Sequence, residues 1–238
     1  MWETTVDGRI LHFHLAGINN QNFIMRDEET GSWWQQVTGE AILGPLKGHR
    51  LKSVFHDELS FGLWKREKPQ GRVLRPDERI VAAKEYSPAN WEERMSRAPV
   101  LPQFKKAGQD LEPRTTVIGI SLNSAAKAYP LTTLQKQSPI IDHVGGVPVV
   151  IVLGEDNRSV RAFESTLDGR NLEFFIKTEG SAWQLVDAET GSVWNFEGKA
   201  TAGPLTGHNL KKVAVLEDYW FDWKLYNPKT AVYEIGPR

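Results

Sequence analysis

The sequence predicts a β-rich α+β protein: two related β modules with short helices, the first module incomplete. Three observations carry this expectation. Residues 27–54 and 187–213 form a repeat, with 16 of 27 aligned pairs identical once a single residue is skipped. The apolar and β-branched runs are short and bounded by Gly, Pro, Asn and Asp, as strands bounded by turns are. The alternation of strand with long helix that marks a parallel α/β fold is absent.

Residues 1–75 read as the C-terminal half of a first module. Asp7-Gly8-Arg9 matches Asp168-Gly169-Arg170, Leu11 matches Leu172 and Phe13 matches Phe174. Asp27 and Gly31 hold a turn, and Gly44, Pro45 and Gly48 a loop. Trp64-Lys65, Pro69 and Val73 match Trp223-Lys224, Pro228 and Val232. The offset of about 160 residues exceeds the unit of a solenoid, which runs to about 50. No counterpart of residues 115–166 precedes the first block, so the expectation is a truncated chain.

Residues 76–114 read as a Pro-rich, ordered connection. Asn90 followed by Trp91-Glu92-Glu93 is a helix start, with Asn as cap and acids in the first turn. Pro99 limits that helix to a short one. Trp91, Val100, Leu101 and Phe104 are its expected anchors.

Residues 115–238 read as a complete second module. Val117–Leu122 is an apolar strand, and 130–137 a helical turn with Pro early. Val147–Leu153, a continuous apolar run, is a buried strand. It forms a hairpin with 159–164 across the turn 154–157. After the Asp168-Gly169 turn come strands at 172–176, 183–187 and 192–196. The last two flank Ala188-Glu189-Thr190-Gly191, where Asp187 caps the turn and Gly191 takes positive φ. The loop 203–207 leads to a final strand through Val215.

Composition narrows the function classes. The 238 residues carry 29 Lys plus Arg and 30 Asp plus Glu, a net charge of −1, which argues against a nucleic-acid partner. With no Cys, disulfides, thiol catalysis and Cys-ligated metals are excluded. No apolar run reaches the roughly 18 residues of a membrane span. The opening Met1–Asp7 segment predicts no export signal in this chain.

Several motifs carry competing readings. Asp-x-x-Thr-Gly-Ser-x-Trp is similar to the blade turn of quinoprotein-type propellers, but two copies 160 residues apart do not make a propeller; the plainer reading is a hairpin with a packed Trp. His49 and His208 follow matching Gly-Pro-Leu-x-Gly loops, as site residues or as locally bonded loop residues. His12 and His14 alternate on a strand, an incomplete ligand set without an obvious carboxylate. Ser32 and Ser192 lack a nucleophile elbow, and no phosphate loop or dinucleotide fingerprint exists. The Trp220–Tyr226 cluster reads as core packing before an exposed aromatic patch.

The second module runs Val117-Ile118-Gly119-Ile120, Ala126-Lys127-Ala128-Tyr129-Pro130, Ile141-Asp142-His143-Val144-Gly145-Gly146-Val147-Pro148 and Asp168-Gly169-Arg170. It continues with Asp187-x-x-Thr190-Gly191-Ser192-x-Trp194, Gly203-Pro204-Leu205-x-Gly207 and Trp223-Lys224. This order resembles the uncharacterised prokaryotic family known as domain of unknown function 3179. The resemblance implies an exported setting and a Cys-Pro-x-Cys segment with an Arg-Ala-Tyr-Pro segment and a His nearby, the composition of a metal or redox site. Here Gly154 and Asn157 stand at the cysteine positions, Gln137 at the His and Lys127 at the Arg, while Tyr129, Pro130 and Asp142 are retained. The chain is thus expected to be a degenerate member: a non-catalytic small-ligand or protein-binding scaffold. Its candidate binding residues are Lys127, Tyr129, Asp142, His49 and His208, with no catalytic residue, metal or cofactor assigned. An exposed sheet edge would allow oligomers. The alternatives are a hydrolase-like enzyme using His and carboxylates in the repeat loops, and a His-based metal-binding protein.

Overall fold

The computed structural model describes residues 1–19, 22–75, 77–79, 90–100, 111–177 and 183–235. Among these, six sheets and four short helices make the protein β-rich α+β, as the sequence predicts. No helix among the described residues is long and apolar enough to cross a membrane. The chain divides into two compact units, residues 1–56 and 57–238.

The second unit is layered. Its middle sheet runs Lys212–Val213, Val160–Glu164, Val147–Leu153, Ile140–Val144, all antiparallel. One face of that sheet, with Val149, Ile151 and Val160, packs on Ile118, Ile120 and Tyr129. These come from a second sheet ordered Leu216–Tyr219, Thr116–Leu122, Ala125–Pro130, Ala231–Val232. The other face, with Val150, Val152 and Phe163, packs on Leu172, Phe174, Leu185 and Trp194. These line a third sheet, Phe174–Lys177, Gln184–Asp187, Val193–Trp194, Ala200–Ala202. Alternate side chains of a strand point to opposite faces. Val147–Leu153 is covered on both, which is why it is apolar without alternation.

Beyond the second sheet lies the helix Trp220–Tyr226, whose Trp220 and Trp223 pack on Val117 and Ala128. The aromatic cluster is therefore core. Gly119 permits this approach, because a Cβ there would meet the Trp223 ring at 2.2 Å.

Several expectations need correction. The strand at 192–196 is only Val193–Trp194, interrupted by a bulge against Ala200–Ala202. The strand at 172–176 begins at Phe174. The helix Trp91–Arg97 has Asn90 at its cap position, but the Asn90 side chain makes no capping bond. Trp91 is 43% exposed, while Val100 packs on Phe221; Leu101 and Phe104 lie outside the described residues. The strands Ala125–Pro130, Ile140–Val144 and Leu216–Tyr219 escape the sequence reading, since Lys127, Asp142 and Asp218 break their apolar pattern.

The first unit holds one four-stranded antiparallel sheet, Phe13–Asn19, Asn22–Asp27, Trp33–Gln35, Ala41–Leu43. Val6, Leu11, Trp34, Ala41 and Leu51 form its core. A hairpin, Thr5–Val6 with Arg9–Ile10, precedes the sheet.

Candidate functional site

Lys127 and Tyr129, two apart on one strand, share a face. That face meets Asp142 on Ile140–Val144. The Tyr129 hydroxyl donates to Asp142 Oδ2 at 2.8 Å, and Lys127 Nζ reaches the same oxygen at 2.6 Å. The His143 amide donates to the other carboxylate oxygen at 2.8 Å. Lys127 Nζ lies 5.4 Å from the Tyr233 ring centre, within cation–π range. Gln137 joins the cluster by donating to the Tyr233 hydroxyl at 3.3 Å. Burial, then the hydrogen bond to Asp142, pushes the Tyr129 phenol above its usual range. Tyr129 therefore stays a protonated donor, and the cluster is closed and charge-balanced.

Gly154 and Asn157 lie in the turn after Val147–Leu153. Asp156 organises this turn: its Oδ1 accepts from the Ser159 amide at 2.9 Å and its Oδ2 from the Ser60 hydroxyl at 2.6 Å. Burial opposes its ionisation, but the Ser159 and Ser60 donors hold it below the usual carboxylate range. Ser60 also caps the helix Phe61–Glu67, and Arg66 of that helix pairs with Glu155 at 2.5 Å. The Asp156 carboxylate, with the Ser60 and Ser159 hydroxyls that donate to its Oδ2, thus closes the turn at which the family resemblance implied thiols.

His49 and His208 lie in different units. Each donates from Nδ1 to its own loop carbonyl, Leu46 or Leu205, at 3.0 Å. Each turns Nε2 toward the Asp of the matching Asp-Gly turn, Asp7 at 3.2 Å and Asp168 at 3.8 Å. Nearby, the Asp-x-x-Thr-Gly-Ser-x-Trp segments build matching knots. Asp27 Oδ2 accepts from Trp34 Nε1 at 2.8 Å, and Asp187 Oδ2 from Trp194 Nε1 at 2.9 Å. Ser32 and Ser192 hydroxyls each accept from a loop amide, Leu46 or Leu205, at 3.0 Å. Both serines are buried and engaged in loop bonding. His12 does find a carboxylate, Glu29, at 2.6 Å. Among the described residues, no three His, Asp or Glu side chains converge as a ligand set.

Sequence reasoning missed a cleft of about 570 Å³ in the second unit, lined by Trp91, Glu93, Thr116, Arg158, Glu217, Asp218 and Tyr219, among others. Asp218 lies at the end of a sheet strand, and Asp222 in the first turn of the helix that follows. Their carboxyls are hydrogen-bonded to each other. Burial first, then the Asp222 charge, pushes Asp218 up to about 8, although the Tyr219 amide favours its ionised form. Two carboxyls in contact share a proton because both cannot ionise cheaply. A spacing of four residues within an aromatic run was the available signal, hidden by the strand-to-helix change between the two acids.

The sign of the pH effect follows. The folded state holds the Asp218 proton more tightly than the unfolded chain, where the group titrates near 4. Its contribution is full below about pH 4 and is lost as pH rises toward about 8. Asp218→Asn is expected to flatten the decline of unfolding free energy between about pH 5 and 8, measured by urea denaturation across that range. An unchanged slope would remove Asp218 as its source.

A comparison with protein-family models matches residues 1–230 to a family described as "Protein of unknown function (DUF3179)". No curated protein and no solved structure matches the chain.

Proposed function

The chain belongs to the DUF3179 family, whose function is unknown, and from that premise we propose a non-catalytic binding or scaffold protein whose second unit takes a small ligand bearing a cationic nitrogen. The observation that carries this reading is the cleft beside Asp218. It combines an aromatic wall, Trp91 and Tyr219, with the carboxyl groups of Glu93, Glu217 and Asp218, which outnumber the one guanidinium in the lining, Arg158. Concave sites with a few converging polar groups and a displaced pKa are where small ligands bind. Carboxylates beside exposed aromatic area favour an alkylammonium group.

Within this proposal Lys127, Tyr129 and Asp142 tie two strands together, and His49 and His208 pin loops to turns. The scaffold is read as a half module, residues 1–75, a connection, 76–114, and a full module, 115–238, related by duplication. A hydrolase is the second reading. Two carboxyls sharing a proton supply both an acid and a base, which draws that reading to Asp218 and Asp222.

Titration of the full chain with butylammonium chloride, followed by amide NMR, tests the proposal. Saturable shifts are expected at Thr116 and Tyr219 and are expected to weaken at least about tenfold in Asp218→Asn, the loss of one charge-assisted hydrogen bond. Binding should tighten as pH rises toward about 8, because a cation displaces the Asp218 proton. Shifts that persist in the variant, or none in the parent, would refute the site.

A further inference from the structure

Two clefts of the second unit meet at the same pair of residues. The cleft beside Asp218 has Arg158 and Glu217 in its lining. So does a second cleft of about 460 Å³, which continues toward Asp57, Glu58 and Ser60. All of these residues belong to the second unit. Both junction residues sit on anchored backbone. The Arg158 amide donates to Asp156 Oδ1 at 3.2 Å, and the Glu217 amide to Glu58 Oε2 at 3.0 Å. Glu217 also pairs with Ile118 across the sheet and lies two residues from Tyr219, so their side chains share a face.

The polar groups of the two clefts divide by role. In the second, the Asp57 carboxylate is answered by Arg161 at 2.9 Å and Lys212 at 2.8 Å. The Ser60 and Ser159 hydroxyls donate to Asp156. These groups serve the protein's own networks. At the junction, opposite charges stand together, and the cleft beyond it carries carboxyls in excess. Ionised carboxylates only accept hydrogen bonds, and a guanidinium only donates them. The matching ligand therefore has cationic nitrogens in excess and one anionic group. A second ammonium placed alone at the junction would meet Arg158 as a like charge. An ammonium and a carboxylate on one carbon answer Glu217 and Arg158 together, and a guanidinium binds a carboxylate through two parallel hydrogen bonds.

We infer that the ligand is an α-amino acid whose aliphatic side chain ends in an ammonium group. Its α-carboxylate pairs with Arg158 and its α-ammonium with Glu217, at the junction of the two clefts. The side chain runs along Trp91, which is 43% exposed, and sets its terminal ammonium against Asp218. This assignment rests on the cation reading of the Asp218 cleft. It adds to that reading two contacts that a simple amine cannot make.

The probes are butylammonium, 1,4-diaminobutane and L-ornithine, each titrated into the full chain and followed by amide NMR. The diamine adds a second ammonium to butylammonium, and ornithine adds a carboxylate beside it. The diamine is expected to gain little over butylammonium, because Arg158 offsets Glu217. Ornithine is expected to bind at least about tenfold tighter than either, as a bidentate charge-assisted contact supplies, with added shifts at Arg158 and Glu217. In Arg158→Gln, at an exposed position, ornithine is expected to fall to the affinity of the diamine. Should that variant fail to fold, the ratios in the parent decide. Saturable butylammonium binding with no gain for ornithine would overturn the inference and leave the cation reading standing. No saturable binding by any of the three would overturn both. A diamine that binds as tightly as ornithine, or an ornithine advantage that survives in folded Arg158→Gln, would also overturn the inference.

Discussion

Replacing Arg161 with Ala is expected to destabilise the second unit by about 3–5 kcal/mol, the cost of removing the buried partner of an ion-pair network and leaving its half-buried carboxylates without it. Arg161 is 3% exposed. It grips Glu67 through both terminal nitrogens, at 2.7 and 2.8 Å, and reaches Asp57 at 2.9 Å. Its guanidinium lies 4.8 Å above the Phe196 ring. Burial opposes ionisation of Asp57, but Arg161 and Lys212 outweigh it and hold the carboxyl below its usual range. Without Arg161, Lys212 remains at 2.8 Å from Asp57, while Glu67 loses the guanidinium that grips it. The milder Glu67→Gln keeps an acceptor and is expected to cost about 1–2 kcal/mol. Urea midpoints read both. A loss below about 1 kcal/mol for Arg161→Ala would mean that the network is energetically idle.

Gly119→Ala is expected to cost about 3 kcal/mol or more, at the upper end of overpacking penalties. The new Cβ would lie 2.2 to 2.5 Å from three atoms of the Trp223 ring. That ring is held in place: its Nε1 donates to Thr230 at 2.9 Å, and the residue is 4% exposed. Either the helix Trp220–Tyr226 shifts or the strand Thr116–Leu122 bends. Trp223→Leu introduced into Gly119→Ala should recover part of the loss, because the two changes share one volume. Strict additivity in thermal or urea unfolding would show that the clash is relieved elsewhere.

What could be read from sequence was local. Val147–Leu153 falls at its expected bounds because a strand buried on both faces leaves a continuous apolar run. The Asp27 and Asp187 turns were legible because an Asp cap, a Thr and a positive-φ Gly leave a fixed short pattern. The Arg161 network was not legible, since its partners lie 94 and 104 residues away and no short pattern joins them. Lys127, Tyr129 and Asp142 were named from family resemblance, and the structure brings them together. His49 and His208 were named from the repeat, and each stays with its own loop. The cleft went unseen because its lining joins four separate places in the chain, residues 91–96, Thr116, Arg158 and 217–219.

The central claim is that a cationic nitrogen binds beside Asp218, and a crystal structure of the chain with butylammonium tests it most directly. The nitrogen is expected within about 3 Å of the Asp218 carboxylate, with the alkyl chain against Trp91. Density for the ligand at the Lys127–Tyr129–Asp142 cluster, or a cleft left empty at a saturating concentration, would contradict it.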